Sequence, residues 1–224
     1  MRDQRTLVLG THNRKKLAEL VELLEPHEFR LRSVSEYPDA IVVEESGSTF
    51  TENAALKACE QARRLHAWVL GEDSGLLVDA LDGAPGVHSA RYSGPAATDA
   101  SNNQKLLEAL ADVPWEKRNA HYVCHMCLSD PQGVVRIRCQ GECHGRIRFE
   151  PGGQGGFGYD PLFDLLEYHQ TFGELSSAVK GVISHRSRAV RLFVPALVQL
   201  VATGGWPVST SFSTPPAHSV STGT

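Results

Sequence analysis

Residues 69–81 read VLGEDSGLLVDAL, placing two adjacent carboxylates, Glu72 and Asp73, between two apolar runs. Acids are poor strand residues and costly to bury without compensation. At a strand end Asp73 is affordable if a metal ion offsets its charge. The spacing predicts a strand on each side of the pair, with the acids at a strand end. A solvated turn, helped by Ser74 and Gly75, is the plain alternative.

The flanking pattern predicts an α/β fold with a mixed sheet. Thr6–Gly10 reads as a short buried strand. Leu17, Leu20, Val21 and Leu24 then fall on one helix face, with Asn13 as N-cap and Pro26 just beyond the end. A second helix is expected over Ser48–His66, capped by Ser48 or Thr49. A third is expected over 98–111, with Leu106, Leu107 and Leu110 inward. Two alternating strands joined by Asp130–Gly133 form a hairpin. A last helix begins after Ser184, and Pro195 inside it predicts a kink or break. From residue 204 the chain turns Ser/Thr/Pro/Gly-rich, so 1–203 is expected to be the folded domain and 204–224 a disordered tail.

Bulk properties narrow the class. The 224 residues carry a net charge of -4, which argues against broad binding to nucleic acid. No apolar run approaches the ~20 residues needed to cross a bilayer, and the amino-terminal stretch lacks a secretory pattern. The cytoplasm is therefore the expected location, with no membrane partner. The five cysteines suggest a zinc site at Cys124, Cys127, Cys139, Cys143 and His144. On a strand, however, Cys124 and Cys127 point to opposite faces, and the remaining residues do not close a structural site.

Four segments could carry chemistry. In THNRKK, residues 11–16, a helix start with Thr11, Asn13 and Lys16 suits phosphate, although a plain capped helix has the same look. Glu44 and Glu45 follow the apolar run 40–43. Carboxylates converging from separate strand ends near phosphate are how Mg²⁺ is held, and Asp73 could also take a proton from water. Residues 155–161, GGFGYDP, present Phe157 and Tyr159 where a ring could stack on a base, or simply form a turn. Lys180, His185 and Arg186 gather donors near a helix start, where positive charge opposes the dipole. Donors suit a purine with a 6-oxo group and suit adenine badly.

Together and in this order these segments resemble the inosine/xanthosine triphosphate pyrophosphatases, the HAM1 or RdgB-type family. The resemblance rests on THNRKK, EESGSTFTENAALKA, GEDSGLLVDAL, GAPGVHSARYSG, GGFGYDPLF and SHR, and spans residues 5–203. It implies an elongated mixed sheet with flanking helices, two lobes around a central substrate cleft, and a homodimer. It implies hydrolysis of ITP, dITP and XTP to the monophosphate and pyrophosphate with Mg²⁺, which keeps altered bases out of nucleic acid. By motif, Thr11, His12, Asn13, Arg14, Lys15, Lys16 and Lys57 should bind the triphosphate. Glu44 and Asp73 should hold the metal, Asp73 should activate water and Ser74 should touch substrate. Phe157, Gly158, Tyr159, Asp160, Lys180, His185 and Arg186 should form the base pocket. Two positions depart from the expected pattern: Glu72 replaces a first Asp, and His88 stands where an aromatic is common. The rivals are a Maf-like pyrophosphatase for other modified nucleotides and a non-catalytic nucleotide sensor.

Overall fold

In a computed structural model, which describes residues 5–27 and 29–207, seven strands form one mixed sheet in the order β2-β1-β3-β4-β5-β6-β7. β1 (Thr6–Leu9) is buried and feeds α1 (Arg14–Leu24), whose Leu20 and Leu24 face the core. β2 (Arg30–Ser33) returns parallel to β1. α2 (Phe50–Leu65) opens with a capping box: Thr49 and Glu52 satisfy each other's backbone N–H groups. β3 (Trp68–Val78) leads to α3 (Asp99–Ala109) and then to the hairpin of β4 (Asn119–Ser129) and β5 (Val135–Ile147). Short strands β6 (Phe163–Leu165) and β7 (Gln170–Thr171) precede α4 (Ser177–Ile183) and α5 (His185–Ala202).

The expected pair of strands around Glu72 and Asp73 is a single strand. β3 runs through both acids, antiparallel to β4 from Val69 to Val78. What ends near the acids is its other neighbour. β1 pairs with β3 only from Trp68 to Leu70, and the chain then turns off into α1. From Gly71 onward β1 no longer accompanies β3, and the freed edge forms the floor of a cleft. α1 packs on one face of the sheet and α2 on the other, so the cleft lies between β1 and β3 where the connections diverge. Open α/β sheets bind ligands at such points.

Side chains along β3 alternate between two environments. On one face Leu70 joins a core with Leu7, Leu20, Met126 and Phe193, while Leu76 and Val78 join a second core with Leu106, Tyr122, Phe163 and Phe172. Glu72 and Ser74 fall between these two cores. On the other face Gly71 and Gly75 flank Asp73. A Cβ at Gly71 would lie 2.2 Å from the Ala54 carbonyl oxygen, and one at Gly75 would lie 2.5 Å from Ser89 Oγ. Both glycines let neighbouring backbone approach, which leaves Asp73 in a slot between two close contacts.

α5 continues through Pro195 to Ala202, so the expected break does not occur. Its apolar stripe of Val190, Phe193 and Leu197 is buried on both sides of the proline. Packing there outweighs the loss of one backbone N–H. The Ser/Thr/Pro-rich segment set apart at residue 204 begins with a core residue. Trp206 is 3% exposed and stacks on Trp68, with ring centroids 4.5 Å apart. The rest of that segment, 208–224, lies outside the described residues.

Candidate active site

The two acids of β3 face different partners. Glu72 is 1% exposed. Arg186 Nη2 donates to its Oε1 at 3.0 Å, and Lys16 Nζ lies 3.2 Å from its Oε2. Cys124 Sγ donates weakly to Oε1 as well. Burial works against the charge on Glu72, but Lys16, Arg186 and Lys57 outweigh it and hold the carboxyl well below the usual glutamate range. Glu72 is therefore a fixed anion that organises cations.

Asp73 has a looser setting. Lys57 Nζ donates to its Oδ1 at 2.9 Å, while the buried Oδ2 has no hydrogen-bond partner. Here burial dominates: it pushes the carboxyl up from its ordinary value, against the pull of Lys57 and Lys16. A buried carboxylate oxygen without a partner is costly, and it suits a water or a hard cation.

The cleft beside Asp73 is lined by Thr11, His12, Asn13, Lys16, Glu45, Lys57, Asp73, Ser74 and Arg91 among others, with an empty volume of about 870 Å³. Of the six residues 11–16, four reach it. Arg14 and Lys15 do not; both are exposed, and Lys15 pairs with Asp99 at 2.7 Å. Asn13 spends its side-chain oxygen on the N–H groups of Lys15 and Lys16, so two of the amides expected for phosphate are already capped. Of the two loop acids, both exposed, Glu45 places its Oε1 3.0 Å from Lys57 Nζ and lines the cleft, and Glu44 precedes it outside that lining. Two consecutive acids in an irregular segment give no sequence signal to choose between them. Among the described residues no group of three or more His, Cys, Asp or Glu is gathered as a ligand set. Cys124 packs in the core beside Glu72, and Cys127 packs against Ala54 and Ala58 on the α2 face, as their odd spacing requires.

A second pocket adjoins the first and shares Asn13, Lys16 and Ser74 with it. It has an empty volume of about 790 Å³ and brings together Phe157, Gly158, Tyr159, Asp160, Lys180, His185 and Arg186. Lys180 Nζ donates to Asp160 Oδ2 at 2.6 Å and lies 4.9 Å from the Phe157 ring centroid. Asp160 also accepts the Phe157 N–H at 2.9 Å, which fixes the loop that presents that ring. A Cβ at Gly156 would meet Asp160 Oδ2 at 2.0 Å, and its φ of +72° is one few other residues adopt. Tyr159 is 3% exposed and donates its hydroxyl to the Ser89 carbonyl at 2.8 Å, so Phe157 is the ring available for stacking.

His185 is buried and stacks on Tyr122 at 4.7 Å. Burial and the neighbouring Arg186 hold it well below the ordinary histidine value. It is neutral, with one ring N–H to donate, and its Nδ1 has no partner. Burial opposes the charge of Arg186, but Glu72 and Cys124 beside it raise its pKa. Sequence reading missed Glu19, which accepts from both Lys180 and Arg186. It falls three residues after Lys16 on α1, and that spacing is the signal that could have found it. Arg91, at the end of the 3-10 helix Gly86–Arg91, was also missed.

A cationic cleft with an unpartnered carboxylate oxygen thus joins a donor-lined pocket with an aromatic wall. Comparison with known proteins assigns the family: residues 7–196 match the model of the Ham1 family, and the chain belongs to it. A dITP/XTP pyrophosphatase of Rhodopirellula baltica is 58% identical over 195 residues, covering 87% of this chain and 94% of the relative. One from Exiguobacterium is 48% identical, covering 83% and 93%. Among solved structures, a HAM1 protein from Coxiella burnetii superposes with a TM-score of 0.80 at 39% identity, covering 88% of this chain and all of that one.

Proposed function

We propose that this chain hydrolyses deaminated purine nucleoside triphosphates, of the dITP and XTP class, to the monophosphate and pyrophosphate. The observation that carries the reading is the pair of adjoining pockets: one able to hold phosphates beside a free Asp73 oxygen, the other able to hold a 6-oxo purine. Family membership and the names of the relatives support it.

The phosphates lie along Lys16, Lys57 and Arg91, whose charges offset theirs. Asp73 Oδ2 accepts a proton from a water that attacks the α-phosphorus. The bond from that phosphorus to its bridging oxygen breaks, and pyrophosphate departs. The raised pKa of Asp73, caused first by burial, makes it a better base than an ordinary aspartate. Phe157 stacks on the base. Lys180, His185 and Arg186 present donors to the 6-oxo group. Adenine's amino group would leave such a donor unpaired, at a cost of ~1–3 kcal/mol.

Mg²⁺ fits this donor set as a further part of the proposal. Asp73 and the loop acids Glu44 and Glu45 offer hard oxygen ligands, and Mg²⁺ keeps most of its waters. The ion would supply charge neutralisation on the triphosphate. A homodimer is proposed from likeness to the family alone, and sedimentation of the purified chain would test it. No helix of the described residues is long and apolar enough to cross a membrane.

The deciding experiment supplies dITP, dATP and dGTP separately, in Mg²⁺ at mildly alkaline pH. Rapid pyrophosphate release from dITP alone is expected. Orthophosphate as the first product would refute attack at the α-phosphorus, and equal rates on dATP would refute the pocket assignment.

A further inference from the structure

Asn53, Lys57 and Gln61 recur every four residues along α2 and so form one stripe on it. Each holds a different point of segment 41–47, which has no regular secondary structure of its own. Asn53 Oδ1 accepts the Gly47 N–H at 2.8 Å. Lys57 pairs with Glu45 at 3.0 Å. Gln61 grips both polar groups of Ile41: its oxygen accepts the Ile41 N–H at 3.3 Å, and its amide nitrogen donates to the Ile41 carbonyl. The segment thus lies antiparallel along the helix, with links spaced about 6 Å apart by the helical rise.

The three links differ in kind. Asn53 and Gln61 are neutral amides, 0% and 1% exposed. Withdrawing either from the loop would leave buried polar groups without partners. The middle link is an ion pair, and Lys57 already divides its charge between Glu45 and Asp73. It can exchange a carboxylate for a phosphate oxygen at little cost, whereas the two ends cannot let go. Space enforces the same arrangement, since a Cβ at Gly47 would lie 2.6 Å from Asn53 Oδ1. His12 donates Nε2–H to the same Ile41 carbonyl at 3.2 Å, which ties the clasped residue to the β1–α1 turn as well.

We infer that Gln61 is a positioning residue for the hydrolysis. Through Ile41 it sets the loop acids against Lys57 and Asp73, and with Asn53 it keeps the loop seated while Lys57 exchanges Glu45 for substrate. This rests on the pyrophosphatase reading above. Both of its hydrogen bonds go to the backbone of the loop, and its side chain also lines the cleft beside Asp73.

The test is Gln61→Met in the full chain, which keeps side-chain length and removes both hydrogen bonds. Hydrogen exchange at the amides of 41–47 should accelerate while those of Phe50–Leu65 keep their protection. The kcat for dITP should fall by about tenfold to a hundredfold, the range that small misplacements cause. The ratio of kcat/KM for dITP over dATP should not change, because the base pocket is untouched. Gly47→Ala pries the other end of the loop and should give the same signature, which covers the case of a poorly folded Gln61 variant. A purely structural role would lower the melting temperature and the folded fraction but leave kcat per folded molecule unchanged. Unaltered exchange at 41–47, a loosened loop with wild-type kcat, or a changed base preference would each overturn the proposal. If the unsubstituted chain turns over no deaminated nucleotide, the pyrophosphatase reading fails, and the exchange measurement alone decides whether Gln61 seats the loop.

Discussion

The two faces of β3 carry neighbouring acids to opposite ends. Glu72, toward α1 and α5, has a cation at each oxygen: Arg186 donates to Oε1, where Cys124 also donates, and Lys16 ion-pairs with Oε2, so it is held ionised. Asp73, toward α2, has one oxygen on Lys57 and one without a partner, and burial raises its pKa. A one-residue step along a strand reverses the side chain, and here it separates an anion that builds the site from one that works in it. Cations at both oxygens fix the charge of one carboxylate, whereas a single cation leaves the other with a raised pKa, at some cost in stability.

The contrast can be broken from either side. Asp73→Asn should lower kcat for dITP by about 10²–10⁴, the usual worth of a general base, while raising the melting temperature at pH 7 slightly, because ionised Asp73 costs stability. A variant with near wild-type turnover would remove Asp73 from the chemistry. In the wild type, kcat/KM should fall on the acid side with an apparent pKa above 3.8, the ordinary aspartate value; a limb at or below it would contradict the effect of burial. Glu72→Gln should instead destabilise the fold by about 3 kcal/mol, because it leaves Lys16 without its carboxylate and Arg186 with Glu19 alone. The sign with pH follows from linkage. The lowered folded-state pKa of Glu72 gives stability that is complete above about 4.5, its unfolded value, and lost as pH falls through the folded one. The gap in unfolding free energy between Glu72→Gln and wild type should therefore close on acidification. A constant gap would assign the loss to packing.

Two smaller changes sharpen the comparison. Lys180→Met should cut the preference for dITP over dATP by up to about a hundredfold, measured as the ratio of kcat/KM. Loss of rate on both substrates alike would show that Lys180 serves the fold. Cys124→Ala should cost about 1 kcal/mol in urea unfolding, mostly lost packing, and should leave turnover unchanged. A drop in turnover would mean that the Glu72 face also tunes the reaction.

Much of this was legible in the sequence because it rests on local signals. Asn13 at the head of α1, Thr49 at the head of α2 and the Asp130–Gly133 turn announce themselves through capping and turn chemistry. The phosphate and base segments stand out because several unusual residue groups occur in order. What escaped depends on tertiary context. β3 looked like two strands because nothing local shows that Lys16, Lys57 and Arg186 arrive to pay for its acids. The pairing of Glu45 with Lys57 could not be read locally, since Lys57 arrives from another element. α4 is only seven residues long, too short for its periodicity to register. Trp206 was hidden by the Ser/Thr/Pro-rich composition around it, although one large ring can anchor a segment by itself.

That ring has a topological meaning. Trp206 accepts a hydrogen bond from Arg5 through its carbonyl at 2.8 Å, and its ring covers Trp68 at the start of β3. The described chain therefore begins and ends at one place, about 16 Å along β3 from Asp73 by the rise of five residues. Joined there by a short linker and cut at Gln132, the exposed residue of the turn between β4 and β5, the same residues could be read in a new order with both pockets intact. The cleft depends on which elements meet at the edge of β1, and hardly at all on where translation starts.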